Sequence, residues 1–250
     1  VNRNQISVRP NFSADHFYRG LVKHIEPIYE PTQVANVMRR AFHHLRNGTP
    51  GPVVVELTAD VVNQEIPEES QTYTSPTMQR QQPSAGDIAD AAKALLAAKK
   101  PVIWAGAGVL FAGATEELRE LAELTGVPVF CTMPGKSAIN ETHPLALGAG
   151  SGMTTLAAHR WLNESDVMLC LGSSLTRTPY GQSVRPGTGK VMIQNTNNPD
   201  EINKDEAIDI GLVGDAKLTI LALIDEVKAA IGEEKRDATQ VKAEIAELRK

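Results

Sequence analysis

Closely spaced glycines after an apolar run are the first chemical signal in these 250 residues. The stretch "PVIWAGAGVLFAGA" (101–114) sets Gly106 and Gly108 between strand-like and helix-like text, with Gly113 beyond. A glycine turn at that position can present free backbone amides and a helix dipole to an anion, which suits a phosphate. The dinucleotide fingerprint G-x-G-x-x-G asks for a third glycine at 111, where Phe111 stands. The turn therefore has two readings: an anion cradle, or a tight corner that lets helix and sheet pack closely. Two more glycine-bearing loops follow apolar runs. One is "CTMPGKSAIN" (131–140), with Thr132, Gly135 and Lys136; the other is "LGSSLTRTPYG" (171–181), with Gly172 and Arg177. Ligands of open parallel sheets sit outside the carboxyl ends of strands. The three loops thus define one candidate nucleotide crevice.

The other reactive side chains suggest no catalytic or metal centre. Cys131 and Cys170 each lie in an apolar run and read as buried, reduced thiols. Two lone cysteines give neither metal spacing nor a disulfide framework. His43 and His44 are adjacent near a helix end, where positive charge suits the dipole. A metal pair on a helix would need i, i+4 spacing. His16, His24 and His159 show no partner in the sequence, and His143, in "ETHPLALG", reads as part of a turn. Gly214–Asp215 reads as a strand end followed by a helix cap.

Bulk properties narrow the class. Hydrophobic residues make up 42% of the chain and charged residues 22%, as in ordinary globular proteins. A net charge of −5 offers no basic field for nucleic acid or a membrane surface, and 4% aromatics argues against base stacking. No apolar run approaches the ~18 residues of a membrane span, and no signal peptide is visible, so a cytoplasmic location is expected. The chain begins with Val1 in polar text, which suggests a piece of a longer polypeptide.

The elements that must position the loops follow from periodicity. Val34, Val37, Met38, Ala41, Phe42 and Leu45 form one stripe, which predicts a helix over 31–46. "GPVVVEL" (51–57) predicts a strand, with no partner strand evident. Residues 63–86 are polar, hold three prolines and read as a linker. A helix over about 87–99 then opens an alternating series. Strands are expected over about 101–105, 127–131, 166–171, 190–194 and 208–213, and helices over about 115–125, 153–162 and 215–231. Such alternation predicts an α/β fold: a parallel, Rossmann-like sheet with helices on both faces, preceded by a partial α/β segment. Residues 232–250 are charged and helix-prone and read as the start of a connector.

Four stretches carry a resemblance. "GTPGPVVVELTADV" (48–61) is similar to the end of the pyrimidine-binding domain of thiamine diphosphate enzymes of the acetolactate synthase type. "KKPVIWAGAGVLFAGATEELRELAELTGVPVFCTMPGKSAINETHPLALG" (99–148) resembles the opening half of their central domain. "SDVMLCLGSSLTRTPYG" (165–181) and "NPDEINKDEAIDIGLVGDAKLTILALIDEV" (198–227) resemble its closing half, in order and spacing. The resemblance implies that residues 1–62 end a pyrimidine-binding domain and that 87–231 form a central domain. Residues 232–250 would then lead toward a pyrophosphate-binding domain. It further implies a fragment of a decarboxylase or carboligase acting on a 2-keto acid or acyl-CoA, with thiamine diphosphate and magnesium, as a homo-oligomer. The essential glutamate and the G-D-G motif of such enzymes fall outside these residues, so this chain alone is expected to bind neither cofactor nor metal and to be inactive. A free-standing adenine-nucleotide-binding module, or a non-catalytic scaffold of the same fold, is the alternative.

Some relatives hold FAD or ADP in the central domain. The flavin-binding members resemble G-x-R-F-D-D-R after the third central strand, whereas this chain reads Gly172-Ser173-Ser174-Leu175-Thr176-Arg177-Thr178. They carry H-I-D-I-D where this chain reads Gln194-Asn195-Thr196-Asn197-Asn198. Ser174 and Thr196 therefore join the candidate crevice as neutral replacements for charged groups. Such side chains still hydrogen-bond, but without charge assistance. The pattern argues against FAD and leaves ADP open. An Asn-rich strand exit is also ordinary turn chemistry.

Overall fold

The apolar stripe of residues 34–45 folds as a helix in a computed structural model, which describes residues 14–150, 153–177 and 189–249. The described chain divides into two units, meeting between Gln79 and Arg80. The first holds α1 (Ala14–Tyr18), β1 (His24–Ile28), α2 (Val34–Arg46) and β2 (Val53–Leu57). Pro31 opens a 3-10 turn that leads into α2. The strand expected at 51–57 is not an orphan: β2 pairs in parallel with β1, from His24 opposite Val53 to Ile28 opposite Leu57. The sequence hid β1 because "HIEPI" is short, interrupted by Pro27 and half polar. Ile28, Val37 and Val61 form a small apolar core, joined by Val34 and Val55.

Residues 63–79, expected within a linker, lie along α2. Arg46 Nη1 donates to the Pro76 carbonyl at 2.7 Å, and the Gln79 amide donates to Asn47 Oδ1 at 2.6 Å. Ile66 and Tyr73 line a cavity of about 620 Å³ with Met38 and Phe42 of α2.

The second unit follows the alternation read from the sequence. Ser84 caps α3 (Ala85–Ala97), its hydroxyl accepting from the Asp87 amide. Then come β3 (Pro101–Ala105), α4 (Ala107–Phe111), α5 (Thr115–Thr125), β4 (Val129–Thr132) and β5 (Ala146–Gly150). They are followed by α6 (Leu156–Glu164), β6 (Val167–Leu171), β7 (Val191–Thr196), β8 (Ile210–Val213), α7 (Ala216–Ile231) and α8 (Thr239–Leu248). The six strands form one parallel sheet in the order β5-β4-β3-β6-β7-β8.

Both faces of the sheet are apolar, as a parallel sheet covered on both sides requires. On one face Ile103, Leu169 and Ile193 meet Leu95 of α3, Leu121 of α5 and Leu223 of α7. On the other, Val102, Trp104, Met168, Cys170 and Met192 meet Trp161 of α6 and Ile245 of α8. Each fully buried large aliphatic side chain contributes roughly 1.5–3 kcal/mol.

In the second unit three elements differ from the sequence reading. The turn expected around His143 runs on into β5, whose residues "ALGAG" have weak strand propensity. This strand is held by pairing with β4 at one edge of the sheet. A single helical turn, α4, fills the space after Gly106. Residues 239–248, expected within a connector, form α8: Ile245 is buried against the sheet, and Lys100 Nζ bonds Glu244 at 3.0 Å. Among the described residues no helix is long and apolar enough to cross a membrane.

Candidate functional site

The strand order reverses between β3 and β6. The chain leaves β3 outward through β4 and β5, then returns to lay β6 on the other side of β3. The carboxyl ends of β3 and β6 are therefore neighbours, and such a switch point is where open α/β sheets hold ligands.

In this chain the switch point is filled by its own backbone. The Gly106 amide donates to the Leu171 carbonyl, and the Gly108 amide to the Gly172 carbonyl, each at 2.9 Å. The Val109 amide turns back to the Gly106 carbonyl at 3.2 Å. A Cβ on Gly106 would lie 2.3 Å from the Gly172 oxygen, and one on Gly108 would lie 2.7 Å from the Gly172 Cα. A Cβ on Gly135 would lie 2.6 Å from the Ala105 oxygen. The glycines at 106, 108, 135 and 172 are thus required where backbone segments touch. These three amides are spent inside the protein, so the turn does not fit a phosphate through them. α4 is also only 5 residues long, which leaves little dipole behind the turn.

The remaining candidate side chains flank this junction, and each has a partner within the chain. Thr132 Oγ1 accepts from the Gly135 amide at 3.1 Å, closing the loop after β4. Lys136 is exposed and its Nζ lies 3.4 Å from Glu141. Ser174 Oγ shares a hydrogen bond with Thr176 Oγ1 at 3.0 Å. Arg177 is fixed twice: its amide donates to Asp205 Oδ2 and its Nε to Glu206 Oε1, both at 3.0 Å. That carboxylate raises the affinity of the guanidinium for its proton. Thr196 Oγ1 donates to the carboxylate of Glu201, in the 3-10 turn Pro199–Glu201, so an acidic group stands beside this position after all. Thr178 lies outside the described residues, as do the rest of its loop to 181 and the polar start of the chain.

Asn195, one of the neutral residues of the strand exit, ties the junction together. Its Oδ1 accepts from the Gly172 amide at 3.2 Å, and its Nδ2 donates to the Leu212 and Gly214 carbonyls and to Thr219 Oγ1 at 2.9–3.0 Å. One buried amide thereby links β6, β7, β8 and α7. The sequence signal was a polar residue inside an apolar strand run, but its partners are visible only in three dimensions. Asp215 caps α7, accepting from the Leu218 amide at 3.1 Å.

Two buried polar atoms on the α6 face lack a partner among the described residues: Trp104 Nε1 and Gln194 Oε1. Trp104 stands opposite Cys170, and Cys170 opposite Gln194, so the donor and the acceptor flank one thiol across three strands. Burial pushes the Cys170 thiol far up. Buried groups of this kind are ordinarily satisfied by an ordered water. Leu175, with φ 50°, is buried in the same apolar cluster.

A parallel sheet with a glycine-packed switch point defines a Rossmann-like α/β protein. Residues 88–223 match the family model of the thiamine pyrophosphate enzyme central domain, and the chain belongs to that family. A probable acetolactate synthase large subunit of Methanococcus aeolicus is 34% identical over 226 residues, which is 87% of this chain and 37% of that one. Glyoxylate carboligase of Escherichia coli O157:H7 is 33% identical over 202 residues, covering 79% of this chain and 34% of its own. Among solved structures, benzoylformate decarboxylase from Polynucleobacter necessarius superposes with a TM-score of 0.71 at 22% identity, over 88% of this chain and 40% of that one. At that identity the last comparison speaks for the fold. The chain spans little more than a third of the length of the curated relatives it matches.

Proposed function

We propose that this chain is part of a thiamine diphosphate- and magnesium-dependent decarboxylase or carboligase of the acetolactate synthase type, a cytoplasmic homo-oligomer acting on a 2-keto acid or acyl-CoA. In this reading the first unit ends a pyrimidine-binding domain, and the second is the central domain. The observation that carries it is the family match over residues 88–223, which falls within the six-stranded unit. Thiamine diphosphate, when bound to such an enzyme, supplies an electron sink for carbanion chemistry. The role assigned to the second unit is mechanical: a double-faced sheet that holds flanking catalytic domains at a fixed spacing.

The crevice formed by Gly106, Gly108, Thr132, Gly135, Lys136, Gly172, Ser174, Arg177 and Thr196 is assigned at most weak adenine-nucleotide binding. The spent amides of Gly106 and Gly108 and the pairing of Arg177 with Glu206 support this assignment. A charge-assisted hydrogen bond contributes roughly 1.5–3 kcal/mol. Losing one, at Ser174, weakens flavin binding by about 10–10²-fold, whereas Glu201 keeps an acidic group beside Thr196.

A chimera tests the reading. The matching segment of the Methanococcus aeolicus relative is replaced by this chain, and acetolactate formation is assayed with thiamine diphosphate, magnesium and pyruvate. The folded chimera should turn over, and this chain alone should not. The purified chain should be colourless, with any affinity for ADP exceeding that for FAD. A folded but inactive chimera, turnover by the chain alone, or a stoichiometric flavin spectrum each contradicts the proposal. Tight ADP binding with an inactive chimera would favour a free-standing nucleotide module.

A further inference from the structure

The contact of β1 with α2 runs from apolar, through ionic, to aromatic. Ile28 meets Val37 in the small core. Glu26 accepts from Arg40 Nε at 2.9 and 3.0 Å. The His24 ring stacks on the His44 ring, centroids 4.0 Å apart and planes 20° apart. Steps of two along the strand thus match steps of three and four along an antiparallel helix. We infer that the His24–His44 stack, with Lys23 beside it, is a proton-sensitive latch that holds α2 on β1 at neutral pH and loosens as His44 takes up a proton.

The surroundings make a second charge costly. Lys23 Nζ donates to the His44 carbonyl at 2.6 Å and to the Asn47 carbonyl, which places an ammonium group at the end of α2, its proton affinity lowered by burial. The His43 ring stands edge-on to His44 at 5.7 Å. Among the described residues Glu26 is the carboxylate acting on His44, and Arg40 and His24 already engage it, His24 Nε2 at 3.2 Å. From β2, Val53 stands opposite His24 and adds no charge. Two neutral rings at 4.0 Å attract, whereas two cations there repel. The rings lie face to face and do not converge on a point, and among the described residues no group of three or more His, Cys, Asp or Glu could hold a metal.

Burial first, then the charges of His24, His43 and Lys23, lower the proton affinity of His44. The unfolded chain takes up a proton near the ordinary imidazole value, about 6.5, that the folded unit refuses. The contribution of the latch is therefore whole above that value and is lost as pH falls from it through the lower folded value of His44. Glu26 acts in a separate, more acid window. Arg40 holds its carboxyl below the usual range, so its stabilisation persists until pH falls under ordinary carboxylate values.

The test uses the full 250-residue chain. Histidine ring resonances are followed by NMR from about pH 8 to about pH 5, across the imidazole range. His44 should titrate lower than in the urea-denatured chain. His24→Phe keeps a flat ring in the stack and removes its charge, so the His44 midpoint should rise; His24→Gln serves if the Phe variant does not fold. Amide exchange over residues 24–57, corrected for its intrinsic pH dependence, should quicken about fivefold or more between about pH 7.5 and about pH 5.5. That factor corresponds to two unit charges at ~4 Å in a watery setting. In His44→Phe the corrected exchange should be flat. His44 titrating as in the denatured chain, a midpoint unmoved by His24 substitution, or equal acid loosening in His44→Phe overturns the latch.

Discussion

Gly172 and Gly113 have nearly the same left-handed backbone, φ +58° and +64°, but different surroundings. A Cβ on Gly172 would lie 2.6 Å from the Val109 amide nitrogen, whereas a Cβ on Gly113 would meet nothing within 4 Å. Alanine at either position incurs the left-handed penalty of roughly 1–2 kcal/mol. At Gly172 it must also push two backbones apart, which adds about 1–3 kcal/mol. Urea unfolding should therefore show Gly172→Ala clearly less stable than Gly113→Ala. Equal losses would mean that the junction yields easily and that the amides of Gly106 and Gly108 are open to a ligand. At this scale the glycine pattern was legible, and its purpose was not. Spacing alone could not separate a phosphate cradle from a packing corner, because both need glycine where a backbone or ligand comes close.

Among the elements, α8 carries the sharpest test. Its sequence, "TQVKAEIAEL", reads as charged surface with a thin apolar stripe. Yet Ile245 is 1% exposed and belongs to the cluster that covers the α6 face of the sheet. Ile245→Ala should cost the second unit about 2–5 kcal/mol in guanidinium unfolding. A loss as small as that of Gln240→Ala, an exposed position on the same helix, would show that α8 is not part of the cover. The strongly periodic helices and the long apolar strands were readable because burial on one face, or on both, writes a regular pattern. β1 and β5 were not. One carries a proline, the other is mostly alanine and glycine, and each is a strand because of the strand beside it.

For the whole molecule, the two units differ in how much sheet each owns. The first has two strands and a core of a few residues; the second has six strands and an apolar cluster on each face. A two-stranded sheet is marginal in water by itself, and here its stability rests on one helix packed over a core of three buried residues. Hydrogen exchange under native conditions should therefore be fast over 24–57 and slow over 101–227. A single cooperative loss of protection across both would mean that they fold as one body. The α/β class, the parallel sheet and the family were determined by the sequence alone, because alternating apolar runs and amphipathic helices admit few arrangements and the matching stretches occur in family order. Tertiary structure alone decided which groups are free to act. Arg177 looked available until Glu206, 29 residues on, neutralised it, and Gly108 looked like a phosphate donor until Gly172 took its amide. Hydrogen-bond and charge partners are chosen by which distant segments the fold brings within about 3 Å, and no local pattern of residue types contains that information.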